Sequence, residues 1–116
     1  MPNQNPEFAD IYGVAPHVVP DAHDAPRRNV VVHPRSDVVT VLGRTSQRGG
    51  FNEQHCMLSE VDLSCRLDLP GMFDVRHKHS IFRAHFSRPS DCEFYGSLGT
   101  DEAGQLREFY DRVSGF

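Results

Sequence analysis

The stretch Phe73-Asp74-Val75-Arg76-His77-Lys78-His79-Ser80-Ile81-Phe82-Arg83-Ala84-His85-Phe86 sets the shape of this chain. Phe73 and Val75 share one parity; Phe82, Ala84 and Phe86 share the other. Successive side chains of a strand point to opposite faces, so a regular strand cannot put both sets on one face. A β-bulge or break is therefore expected between about Arg76 and Ser80. With that switch, Asp74, Arg76 and Lys78 face solvent before the break, and Arg83 and His85 after it. Phe82 and Phe86 then belong to the core.

On its N-terminal side lies the clearest alternation in the sequence. Val61, Leu63, Cys65, Leu67 and Leu69 share one parity, against Asp62, Ser64, Arg66 and Asp68. A strict period of two predicts a half-buried strand over 60–69, ended by the turn Pro70-Gly71. Further strands are expected over 29–33 and 38–42, joined by the turn Pro34-Arg35-Ser36-Asp37, and over 92–98. Residues 51–58 are ambiguous. Thr100 caps a C-terminal helix with Asp101 and Glu102 in its first turn; Ala103, Leu106, Phe109 or Tyr110, and Val113 form its apolar stripe. Gly115 is its expected stop.

The beginning of the chain reads differently. Asn5, Pro6 and Glu7 are helix-start residues and Gly13 is a stop, so a two-turn helix is expected, with Phe8, Ile11 and Tyr12 on one face. Pro16, Pro20 and Pro26 predict an extended arm over 14–28. The organisation expected is an N-terminal arm (1–28) followed by an α+β domain (29–116). That domain is an antiparallel sheet of five or six strands, open or curled into a small barrel, with one C-terminal helix.

A chain of 116 residues is one domain. The net charge of −4 argues against a globally basic nucleic-acid binder. The charge is uneven, however: residues 1–26 sum to −4, 27–88 to +4 and 89–116 to −4. Arg76, Lys78, Arg83 and His85 form the candidate anion-binding strip. Cys56, Cys65 and Cys92 are odd in number and contain no CxxC, which argues against a disulfide scaffold. Neither a signal peptide nor an apolar membrane span is read, so a cytoplasmic location and no membrane partner are expected.

Catalytic signatures fail on inspection. Tyr95-Gly96-Ser97-Leu98-Gly99 lies between a strand and a helix, but a nucleophile elbow needs Gly at 95 and a later His. His55 and Cys56 are a Cys/His pair in sequence, yet adjacent strand residues point apart. No phosphate-cradling GxxxxGK[ST] or GxGxxG is present. His17, Asp21, His23 and Asp24 cluster on the proline-rich arm, without rigid support.

Gly71-x5-His77-x-His79 is similar to the opening of the first cupin motif, a metal-binding β-barrel pattern. Over these nine residues the resemblance would make His77 and His79 metal ligands. The following Glu is replaced by Arg83 or Ala84, and the second motif is missing. In outline the chain also resembles the PilZ cyclic-dinucleotide domains, but Arg27 and Arg28 lack the RxxxR spacing, and Leu67 stands where Gly belongs after Asp62-x-Ser64.

The expectation is a non-enzymatic binding protein, a regulator, inhibitor or assembly subunit. It would act on another protein, or on itself, through Phe8, Ile11 and Tyr12. An anion, nucleotide or nucleic-acid module using the Arg-rich strip is the second reading, and a metal-dependent barrel around His77 and His79 the third. No catalytic residue, cofactor or resident metal is assigned.

Overall fold

A computed structural model describes residues 5–19, 27–35, 37–45 and 51–113. Six strands form one antiparallel sheet: β1 (Asp10–Val14), β2 (Arg27–Pro34), β3 (Val38–Thr45), β4 (Cys56–Ser59), β5 (Gly71–Phe82) and β6 (Cys92–Ser97). Helix α1 (Thr100–Val113) closes the chain, and 3-10 turns occupy Leu63–Cys65 and Arg83–Ser87. The strand order is β4-β5-β3-β2-β1-β6, so the α+β sheet is open, with β4 and β6 at its edges.

The central strands are buried on both faces, which explains the unbroken run Val30-Val31-Val32 in β2. On one face Ile11, Val30, Val32, Leu42 and Phe73 pack against Leu106, Phe109 and Val113 of α1. On the other, Tyr12, Val14, Val31, Val39, Val41 and Ile81 pack with Val19, Phe86 and Cys92. Burying each of the helix residues Leu106, Phe109 and Val113 contributes about 1.5–3 kcal/mol, which outweighs the loss of about 1 kcal/mol at Gly104.

The parity switch is present. Leu42 pairs with Lys78, but its neighbour Gly43 pairs with Asp74, so Val75, Arg76 and His77 form a bulge. Three extra residues are an odd number, and the faces exchange. The bulge lies against β3 so closely that a Cβ on Gly43 would come within 3.0 Å of the His77 Cβ. Phe82 corrects the sequence reading. It lies on the expected face, but opposite Val38 at the strand end and 68% exposed, while Ile81 fills the opposite core. Arg83, Ala84 and His85 leave the strand for the 3-10 turn that buries Phe86.

The alternating segment 60–69 also differs from expectation. Leu63–Cys65 is a 3-10 turn, and only an isolated bridge joins Asp62 to Leu67. The Asp62 carboxylate accepts from the Ser64 backbone N–H at 3.1 Å and its hydroxyl at 2.5 Å, and Arg66 is left-handed (φ 61°). A local Asx cap thus competes with strand pairing and wins. Cys65 and Leu67 are buried, whereas Val61, Leu63 and Leu69 are exposed.

At the N-terminus a turn replaces the expected helix. Ala9 is left-handed (φ 73°), and its N–H donates to the Val31 carbonyl. Strand β1 then pairs with β2 on one side and β6 on the other. Residues 10–14 are therefore an inner strand of the sheet and not an arm. Positions 20–26, including Asp21, His23 and Asp24, lie outside the described residues, as do Gly49-Gly50 and Gly115.

Candidate functional site

Strand β4 ends the sheet and carries two neighbouring features, a polar corner and an apolar groove. The corner begins in the turn before the strand. The Asn52 carbonyl accepts from the N–H groups of His55 (3.0 Å) and Cys56 (2.8 Å), and the Asn52 side chain accepts from the Gln54 N–H at 2.9 Å. This places His55 in the turn and Cys56 at the first position of the strand. Strand alternation therefore does not separate them, and His55 Nδ1 lies 3.2 Å from Cys56 Sγ. The expectation that these two side chains point apart is overturned: it assumed a strand running through both.

Cys56 pairs across the ladder with Asp74, whose carboxylate is almost wholly buried. His55 Nδ1 lies 3.7 Å from Asp74 Oδ1, and the His55 carbonyl accepts from the Val75 N–H at 2.9 Å. Arg76, at the bulge, folds back onto the same carboxylate. Its Nη2 donates to Oδ2 at 2.7 Å and its backbone N–H to Oδ1 at 2.8 Å. Burial works to raise the Asp74 pKa, but the hydrogen bonds and charge of Arg76 win and hold it below the ordinary carboxylate range. Burial pushes the Cys56 thiol up.

The groove lies beside this corner. Phe51, Leu58, Ser59, Glu60, Val61, Pro70, Gly71 and Met72 line about 510 Å3. Leu58 pairs with Met72 in the ladder and is 63% exposed; Phe51 and Val61, which line the same groove, are exposed as well. The walls of the groove are held by Arg44, itself 8% exposed. Its Nε donates to Ser59 Oγ at 2.8 Å, and its Nη2 to the carbonyls of Leu69 (2.8 Å), Ser59 (3.0 Å) and Glu60 (3.3 Å). Gly71 is required at the base, since a Cβ there would meet the Thr45 carbonyl at 2.6 Å.

The residues singled out from the sequence are dispersed. Ile11 and Tyr12 are fully buried on opposite faces of the sheet, and Phe8 stacks under the guanidinium of Arg107 at 3.9 Å from the ring centroid. The three share no surface, because β1 is a strand and not a helix. Of the cationic strip, Arg76 is committed to Asp74. Lys78 faces out on the α1 side of β5, and Arg83 and His85 belong to the following 3-10 turn. His85 Nδ1 is 2.9 Å from Asp91 Oδ2, and Arg83 donates to the Arg35 carbonyl. The odd-numbered bulge splits the strip. His77 sits in the bulge and His79 pairs opposite Val41. Among the described residues, the one cluster of three metal-ligating types is His55, Cys56 and Asp74. Ser97 of the elbow-like segment donates to Asp10 at 2.6 Å, a structural tie between the edge strand β6 and its neighbour β1.

The sequence offers His55 and Cys56 of the polar corner as a pair, but neither Asp74 as their neighbour nor the groove. Its signals were the polar turn before Cys56 and the excess of apolar residues at 58–72. Compared with known proteins, the chain matches no family model and no curated protein. No helix among the described residues is long and apolar enough to cross a membrane.

Proposed function

We propose that this protein is a non-enzymatic binding module that takes an extended segment of a protein partner along the β4 edge. The observation that carries the reading is Leu58, 63% exposed on an edge strand beside an apolar groove of about 510 Å3. Among the described residues, β4 has a strand on one side only. An edge strand offers backbone donors and acceptors to an added strand, while a pocket beside it accepts alternate side chains. Leu58, Val61 and Phe51 would take the apolar side chains of that segment, and the main chain of β4 would supply register.

A displayed library of random peptides, selected on the full chain, tests this. The expected result is enrichment of sequences with alternating apolar residues whose binding is lost in Leu58→Asp and in Val61→Asp. Both side chains are exposed, and circular dichroism reports the folding of each variant. Failure to enrich, or peptides that bind the two variants as tightly as the parent chain, refutes the reading.

A further inference from the structure

We infer that His55, Cys56 and Asp74 form a binding site for a thiophilic divalent cation of the zinc type. Each residue presents one donor atom, and the three donors lie within 4.8 Å of one another. The Nδ1–Sγ separation is 3.2 Å and the Nδ1–Oδ1 separation 3.7 Å. Tetrahedral zinc with its usual bond lengths has edges of about 3.6 Å between S and N, and about 3.4 Å between N and O. The two edges at Nδ1 are thus within a few tenths of an ångström of those of a zinc site, and the third, between Sγ and the carboxylate, lies within 4.8 Å.

The backbone under these groups is already fixed. Cys56 and Asp74 face each other across a ladder, and His55 is tied to Asn52 on one side and Val75 on the other. Arg76 is placed as an outer partner: its Nη2 donates to Oδ2 at 2.7 Å, and its backbone N–H and Nε donate to Oδ1 at 2.8 and 3.1 Å, so the oxygen that faces His55 is oriented by Arg76 and would use its remaining lone pair on the ion. Hydrogen-bonded carboxylates of this kind are common around metal ligands, where they fix the orientation of the coordinating oxygen.

Donor chemistry selects the ion. A thiolate and an imidazole nitrogen suit zinc or cobalt, and they do not suit magnesium or calcium, which prefer oxygen. On binding, the Cys56 S–H bond breaks, sulfur forms a bond to the metal and the proton goes to solvent. Thiolate and carboxylate carry two negative charges against those of the metal and the Arg76 guanidinium, so the loaded site keeps one net positive charge. Three protein ligands leave one coordination position for water. The side chain of His55 is 23% exposed, while that of Asp74 is 1% exposed, so entry runs past the imidazole.

Chelator-treated full-length protein is titrated with Co2+ and then with Zn2+. The expected result is one equivalent of Co2+ with thiolate-to-metal charge-transfer absorption and four-coordinate visible bands, both removed by Zn2+. Cys56→Ser abolishes the charge-transfer band. His55→Gln weakens binding by at least about tenfold, and the double variant His77→Gln/His79→Gln leaves binding unchanged. Circular dichroism reports folding of each variant. His55 lies at the surface end of the site, so its variant keeps the test decisive if Cys56→Ser unfolds. Absence of the band, its persistence in Cys56→Ser, or unchanged affinity in His55→Gln overturns the assignment. The peptide-binding reading is independent of all three results.

Discussion

Replacing Arg44 by Met removes the clamp on the groove while keeping a long apolar side chain under Phe73, whose ring centroid lies 6.0 Å from the guanidinium carbon. Two of its acceptors, the Ser59 hydroxyl and carbonyl, belong to a residue only 2% exposed. Each buried polar atom left without a donor costs about 1–3 kcal/mol. The Leu69 and Glu60 carbonyls belong to exposed residues and regain water. Removing a buried charge offsets part of the loss, since burial already opposes ionisation of Arg44. The net expectation is destabilisation by about 3 kcal/mol, or a fall in Tm of roughly 10–20 °C for a domain of this size. Arg44→Lys should recover only part of this, because an ammonium lacks the planar fork that reaches several acceptors at once. Urea and thermal unfolding followed by circular dichroism give the magnitude, and limited chymotrypsin digestion gives the location. The 59–70 segment should be cut first in Arg44→Met, at Leu63 or Leu67. A loss below about 1 kcal/mol, or cleavage elsewhere with 59–70 intact, would show that Arg44 does not hold these walls.

Two further outcomes follow from the packing and the charges. Phe82→Ser should change stability by no more than about 0.5 kcal/mol, whereas Ile81→Ala should cost about 2–5 kcal/mol; equal costs in urea titrations would contradict the observed faces of β5. Asp91 accepts from His85 at 2.9 Å, His17 at 2.6 Å and Arg88 at 3.2 Å, and these bonds hold its carboxyl well below the usual range. The unfolded chain therefore takes up this proton more readily than the folded one. The stability from this site is complete above the ordinary carboxylate pKa of about 3.9 and is withdrawn as pH falls below it. Asp91→Asn should unfold more easily than the parent chain at pH 6, and the gap between their urea midpoints should narrow steadily below about pH 4 while staying measurable at pH 2–3, where the folded carboxyl is still ionised; a gap that does not change with pH would contradict the shift.

Local sequence rules went furthest where burial is continuous or periodic. The β-branched runs 30–32 and 38–41, the Thr100 start and the stripe Leu106, Phe109, Val113 all formed the elements that they suggest. The parity conflict between Val75 and Phe82 located a break that the register of β3 and β5 contains. Segments 5–13 and 60–69 misled for one physical reason. Periodicity describes where side chains would point if the backbone were regular, and it does not weigh a competing local hydrogen bond or a strand waiting to be paired. Asp62 satisfies its own turn, and Val61, Leu63 and Leu69 of the apparently apolar face end in solvent. Phe8, Ile11 and Tyr12 have helical spacing, but β2 and β6 supply backbone partners on both sides of 10–14.

The amino-acid order by itself determined the α+β class, the antiparallel sheet, the C-terminal helix and the reversal of faces in the long fifth strand. These depend on contacts between near neighbours and on alternation, which the order of residues records directly. Tertiary structure alone decided what lies at the edge of the sheet. His55 and Asp74 stand nineteen positions apart in sequence and meet only because Cys56 pairs with Asp74. Arg44 reaches Ser59 and Leu69 only because β3 lies beside β5. Proximity of that kind is a property of strand order, and strand order is fixed by the packing of the whole chain, not by any one segment of it.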